Sequence, residues 1–180
     1  MITGKRVRLR AISREDLPLF VQWLNDPEVT EGLSHYYPLS MPQEEKWFEQ
    51  VLQAPPAEQP LTIELLEDDA WVAAGNCGFF AVNWRVRSAE FGIFIGNKSF
   101  WNRGYGTEAV RLCLAYGFGT LNFNRIFLRV FATNERAARV YEKAGFVREG
   151  RLRQAHYHQG NYVDVLMMGI LRDEWMHTKT

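Results

Sequence analysis

The chain opens on an alternation. Residues 5–12, "KRVRLRAI", set basic against apolar side chains one by one, the period-two signature of a half-buried strand. The period then changes. In "SREDLPLFVQWL", Leu17, Phe20, Val21 and Leu24 recur at i, i+3, i+4 and i+7, one face of a helix. Ser13 and Asp16 are spaced as a capping box, and Pro18 suits a first turn, which makes Asp16 a rival N-cap. "SMPQEEKWFEQVL" predicts a second helix capped by Ser40, with Pro42 in its first turn and Trp47, Phe48, Val51 and Leu52 facing inward. "QAPPAEQP" is a loop, since its prolines break any regular element.

Residues 61–67, 71–84 and 89–96 read as three strands, joined by "DDA" and "RVRS", short polar connections that suit antiparallel hairpins. Gly75 and Gly78 within the second strand mark a bulge or a close backbone approach. "FWNRGYGTEAVRLCLAYGF" then places two glycines directly before an apolar helix. "RIFLRVFA" is a further strand, and "TNERAARVYEKAG" is a helix with Asn134 as cap and Gly145 as stop. "FVREGRLRQAHYH" and "YVDVLMMGIL" form a last hairpin around "QGN". This order predicts one α+β domain over residues 1–180: a mixed, mostly antiparallel seven-stranded sheet with helices on both faces.

Composition narrows the classes of function. At 180 residues, 47% hydrophobic and 23% charged, the chain reads as globular and needs no covalent staple. Lys plus Arg and Asp plus Glu are both 21, which argues against a nucleic-acid partner. Cys77 and Cys113 match no metal spacing and sit in apolar surroundings, so buried free thiols in a reducing compartment are expected. The N-terminus has no apolar core of signal-peptide length, and no window approaches the ~18 apolar residues of a membrane span. The expectation is a cytoplasmic protein. His156 and His158 share one face of a strand, but no third ligand accompanies them; a solvated or aromatic-stacked pair is the reading, and no metal is expected.

The glycine turn carries the candidate chemistry. The first turn of a helix has backbone N–H groups without internal partners, at the positive end of the helix dipole. Gly104 and Gly106 let those groups approach a ligand without a Cβ in the way, and phosphate oxygens are the natural guest. Arg103 beside the turn adds a possible charge-assisted bond. Alone, Gly-x-Gly reads equally as a tight strand–helix junction. A dinucleotide fold is disfavoured because the preceding strands are hairpins, and a P-loop because Gly-Lys-Ser/Thr is absent.

"NRGYGTEAV" followed by "NERAARVYEKAGF" resembles the GNAT superfamily of acetyl-CoA-dependent N-acetyltransferases, and "AEFGIFIG" and "GFVREGRLR" fit the same pattern. The resemblance spans nearly the whole chain and is strongest to the branch of ribosomal-protein N-terminal and spermidine acetyltransferases. It implies acetyl-CoA as co-substrate, with its pyrophosphate on the turn formed by Arg103, Gly104, Tyr105, Gly106 and Thr107. Trp101 stands where the family carries Gln or Arg. The resemblance further implies backbone contacts to the pantetheine arm from Ile93, Phe94 and Ile95, cofactor contacts from Asn134 and Lys143, and often a homodimer. Tyr141 takes the general-acid position. Glu90 is the candidate base, directly or through water, or else a hairpin-end partner of Arg85 or Arg87.

The acceptor pocket of the family lies in the N-terminal segment, here with His35, Tyr36 and Tyr37. Between Glu31 and Glu44 that segment has no acid, which suits a peptide α-amine or small monoamine better than a polyamine of the spermidine type. An antibiotic-modifying enzyme would need an acidic pocket. A non-catalytic acyl-CoA-binding protein is favoured only by Trp101.

Overall fold

The computed structural model describes residues 1–177, so the last three residues of the expected domain lie outside the described residues. Strands β1 (Ile2–Thr3) and β2 (Val7–Ala11) lead into helices α1 (Leu17–Leu24), α2 (Pro27–Thr30) and α3 (Met41–Leu52). A meander of β3 (Leu61–Glu67), β4 (Ala70–Asn83) and β5 (Ser88–Ile95) precedes α4 (Tyr105–Gly119) and β6 (Arg125–Phe131). Helix α5 (Glu135–Ala144), the hairpin β7 (Val147–His158) and β8 (Asn161–Leu171), and α6 (Arg172–His177) complete the fold. No helix among the described residues is long and apolar enough to cross a membrane.

Among the described residues one sheet of eight strands runs β1-β2-β3-β4-β5-β6-β8-β7, not the seven expected. The extra strand is β1, whose two residues pair with Leu9 and Arg8 and are too short to show an alternation in sequence. Every neighbouring pair is antiparallel except β5–β6. Parallel neighbours need a crossover, and α4 supplies it. Tight turns close the hairpins: Asp68 and Asp69 between β3 and β4, and Gln159 and Gly160 between β7 and β8, all have positive φ. The ladder between β3 and β4 shifts register at Ile63/Glu64, opposite Gly75, which is the irregularity expected there.

Two apolar clusters cover the two faces. Helix α4 buries Ala109, Val110, Cys113, Leu114 and Phe118, and α5 buries Ala138, Tyr141 and Ala144, against the side chains of β4, β5 and β6 that point their way. Cys77 of β4 and Cys113 of α4 meet there as free thiols, Sγ to Sγ 3.3 Å. On the opposite face Leu17, Phe20 and Trp23 of α1 and Phe48 of α3 pack on Phe94 of β5, whose ring meets those of Phe20 and Trp23 edge-on at 6.2 and 6.4 Å. The start of α1 is fixed by buried Asp16, which accepts from Arg10 at 2.6 and 2.8 Å and from Thr62 at 2.8 Å.

Helix α3 is rotated from its expected face. Leu52 is exposed, and Glu44 is buried in its place, because the inward row runs through positions 41, 44 and 48. Burial alone lifts the Glu44 carboxyl from 4.5 to about 7. The folded state thus holds a proton that the unfolded chain releases, so this group's contribution to stability is complete below pH 4.5 and falls as pH rises toward 7. Glu44→Gln is expected to leave stability unchanged at pH 5 and raise it by about 1–2 kcal/mol at pH 8, allowing for solvent reaching a first-turn side chain. Denaturant melts at both pH values check this; a variant that tracks wild type at pH 8 would place the carboxylate in water.

Candidate functional site

The sheet opens at its one parallel pair. Strands β5 and β6 are in register at Ser88↔Arg125, Ala89↔Ile126 and Glu90↔Phe127, and there the ladder stops. Past that point β5 is held only by β4, out to Ile95, and β6 only by β8, out to Phe131. Freed from each other, the twisted strands diverge. A cavity of about 640 Å³ fills the opening, within the size range of small-molecule sites. Ile93, Phe94 and Ile95 form one wall, with the backbone edge of β5 turned into it.

Helix α4 points its N-terminus into this cavity. Gly104 is its N-cap, with φ +84° in the left-handed region that favours glycine. The first intrahelical bond runs from the N–H of Glu108 to the Gly104 carbonyl at 3.2 Å, so the N–H groups of Tyr105, Gly106 and Thr107 precede the ladder. Gly104, Gly106 and Thr107 line the cavity; Arg103 and Tyr105 do not. Arg103 is drawn to Glu67 at 3.1 Å and stacks over Phe100 and Tyr105. The Tyr105 ring is buried under the guanidinium of Arg6, leaving its backbone N–H as its means of reaching a ligand.

Trp101 does not replace the polar group of the glycine motif; it ties the turn down. Its indole N–H donates to the Ile95 carbonyl at 2.8 Å, and the guanidinium of Arg136 stacks on its ring at 3.8 Å. A cation thus reaches the glycine turn from α5 rather than from position 101. Asn134 caps α5, accepting from the Ala137 N–H at 3.1 Å. Its amide nitrogen lies against Gly32, where a Cβ would come within 2.3 Å, so the α2–α3 connection crosses directly over the cap. Lys143 is exposed at the far end of α5, outside the cavity, and its carbonyl accepts from Arg111 at 2.8 Å.

Tyr141 lines the cavity from α5, its ring buried edge-on to Phe146. Its hydroxyl has no hydrogen-bond partner within the described protein, and burial pushes its pKa up to about 12, so it is protonated across the physiological range. Glu90 also lines the cavity, but neither Arg85 nor Arg87 is its partner. Its oxygens accept from Nε and Nη2 of Arg129 at 2.7 and 3.1 Å, across 39 residues of chain. The register explains the choice: Arg129 follows Phe127, the cross-strand neighbour of Glu90, by two residues and shares its face. A carboxylate engaged on both oxygens is a poor proton acceptor.

Of the proposed acceptor residues, His35 and Tyr37 do not line the cavity, and Tyr36 reaches it through His156. The Tyr36 hydroxyl lies 2.9 Å from His156 Nδ1, and the His156 ring stacks on Phe131 at 3.8 Å. Burial and then the nearby His158 hold the His156 pKa below its ordinary value. The two histidines stack at 6.2 Å, and no group of metal-ligating side chains occurs among the described residues. Sequence reasoning missed Arg129, Arg136, Phe80 and His156 as cavity residues. Arg129 had left one signal, a charge in the middle of an otherwise apolar strand.

A split parallel pair with a glycine-capped helix N-terminus aimed into the gap defines an acyl-carrier-type transferase site. The chain matches the acetyltransferase (GNAT) domain family over residues 6–147 and belongs to that family. It is an acetyl-CoA-dependent acyltransferase. It is 28% identical to a spermidine N(1)-acetyltransferase of Escherichia coli K12, over 98% of this chain and 91% of that protein. A putative ribosomal N-acetyltransferase of Bacillus subtilis is 35% identical over 49% of this chain and 48% of its own. The crystal structure of spermidine N-acetyltransferase from Vibrio cholerae, in complex with CoA and spermine, superimposes with a TM-score of 0.87 at 28% identity, covering 96% of this chain and 99% of that one.

Gly104→Asp tests the anion cradle. Aspartate tolerates positive φ better than most residues, so the fold is expected to survive, while its carboxylate faces the phosphates. Acetyl-CoA binding by calorimetry is expected to be lost, whereas an unchanged affinity would remove the turn from cofactor binding.

Proposed function

We propose that residues 1–180 act as one N-acetyltransferase domain that moves the acetyl group of acetyl-CoA to a single primary amine in a ternary complex. The observation that carries this is the Tyr141 hydroxyl, protonated and without a protein partner, inside the cavity that begins at the α4 N-terminus. The pyrophosphate rests on the N–H groups of Tyr105, Gly106 and Thr107, with Arg136 alongside. The pantetheine arm runs along the β5 edge as an added strand, with Asn134 at its side. The neutral amine attacks the thioester carbonyl carbon, the N–C bond forms, and an N–H of β5 takes the oxyanion. The C–S bond then breaks and the electron pair goes to sulfur. Tyr141 is the general acid facing that sulfur. With Glu90 held on both oxygens, water accepts the ammonium proton.

The acceptor class follows from charge. The one carboxylate lining the cavity is Glu90, and it is matched by Arg129, with Arg136 adding a second cation. A polyamine wants several carboxylates; a peptide α-amine or small monoamine does not. The spermidine reading rests on the relatives whose names carry that substrate and on the complex of the Vibrio protein with spermine. The kcat/KM ranking of N-terminal peptides, amino-acid amides, polyamines and aminoglycosides at one pH decides between them. Spermidine or spermine at the top would overturn the monoamine choice. Tyr141→Phe is expected to lower kcat by roughly 10²–10⁴ while leaving acetyl-CoA affinity in place. Normal turnover by that variant would make Tyr141 a packing residue, and absence of transfer to any amine would favour a non-catalytic acyl-CoA-binding protein.

A further inference from the structure

We infer that Arg129 is the specificity-determining residue for the acceptor, and that it selects amines carrying a carbonyl or carboxylate oxygen on the neighbouring carbon. This rests on the transferase reading above and names the substrate class for it. Arg129 sits on β6 just beyond the point where the β5–β6 ladder ends. Its neighbours Leu128 and Val130 point into the core beneath α4 and α5, so Arg129 points to the other side of the sheet, the side covered by α1 and α3. It lines the cavity.

The pairing with Glu90 is one-sided. Glu90 is 9% exposed and uses both oxygens, whereas Arg129 is 56% exposed and uses only Nε and Nη2. Nη1 makes no hydrogen bond among the described residues. The buried carboxylate therefore fixes the plane of the guanidinium and leaves donors over. Such a fork is already ordered before a ligand arrives, and it matches planar oxygen acceptors better than a lysine would. The surroundings offer no rival anion. Val29, Leu33 and Phe131 are apolar, and the Phe80 ring lies over Gly92, where a Cβ would come within 3.1 Å of it. A second ammonium of a polyamine would meet Arg129 with nothing to offset the repulsion. An α-amino acyl group puts an oxygen within a few bonds of the attacking nitrogen, where the fork can hold it.

The test compares matched acceptors: an amino-acid amide, a free amino acid, a short peptide, an alkylamine of the same length lacking the carbonyl, and spermidine. Wild type is expected to favour the α-amino acyl acceptors over the alkylamine by about 10- to 100-fold in kcat/KM, mostly through KM, the range for hydrogen bonds to a charged group. The amide and the free acid separate carbonyl from carboxylate recognition. Arg129→Gln is expected to erase that preference, leave the alkylamine within about threefold, and improve spermidine relative to the peptide. Arg129→Lys, which keeps the charge without the fork, should retain part of the preference, and it carries the test if the glutamine variant does not fold. Equal loss on every acceptor would make Arg129 purely structural and overturn the inference, as would a wild type that turns over all amines alike. No turnover of any amine, with acetyl-CoA still bound, would overturn the transferase reading and the inference together.

Discussion

The ladder between β5 and β6 ends at Glu90 and Phe127, and the rest of the site depends on that ending. A full-length parallel pair would fill the cavity with backbone hydrogen bonds and leave no free strand edge. An ending nearer the β5 N-terminus would lose the anchor that keeps the two halves of the sheet together. The Glu90–Arg129 pair stands at the crotch of this fork, bonded across it by two hydrogen bonds. Each arm is secured from outside, β5 by β4 and β6 by β8, so the opening costs one stretch of ladder and not the sheet. The two apolar clusters hold the arms apart: Phe94 is drawn to α1 on one face while Leu128 and Val130 are drawn under α4 and α5 on the other.

The opening also sets what α4 and α5 do. Both pack by apolar faces on the same side of the sheet, yet each contributes its first turn or a mid-helix side chain to the cavity. Helix α4 delivers N–H groups through its glycine cap; α5 delivers Asn134, Arg136 and Tyr141 on successive turns of one side. The acceptor side is closed by a different element. The α2–α3 connection lays Gly32 on Asn134 and Tyr36 on His156, bridging the two arms without a strand. Cofactor and acceptor regions are thus built from opposite faces of one sheet and meet only where the sheet is split.

Local chemistry made much of this legible from sequence. The Gly104 cap, the Asn134 cap, the Gly145 stop and the hairpin turns each depend on a few adjacent residues, and each lies where its pattern places it. What depended on distant packing was less legible. The two residues of β1 are too few to alternate. Glu44 and Leu52 exchange roles because the rotation of α3 is set by α1 and Phe94, not by its own hydrophobic row. The partner of Glu90 is 39 residues away and could be found only from the parallel register. Trp101 looks like a lost contact in sequence, but the Ile95 carbonyl and Arg136 show it as a brace.

The pairing pattern has an electrostatic consequence for the chemistry. Cavity groups with hydrogen-bonding capacity to spare are donors: the α4 N-terminus, the β5 edge, Arg136 and the outer edge of Arg129. Glu90, the anion among them, is spent on Arg129. The field inside is therefore positive from the phosphate end to the acceptor end. That suits a cofactor carrying phosphates, and it acts on the acceptor as well. A like charge disfavours an ammonium, so an amine brought beside Arg129 loses its proton more readily than in water. A site that lowers the acceptor's own pKa has less need of a strong protein base. Under the proposed reaction this reconciles two features that otherwise conflict: a carboxylate at the base position of the family and a guanidinium that engages both its oxygens. In this chain Glu90 holds the cation, the cation discharges the amine, and water carries the proton away.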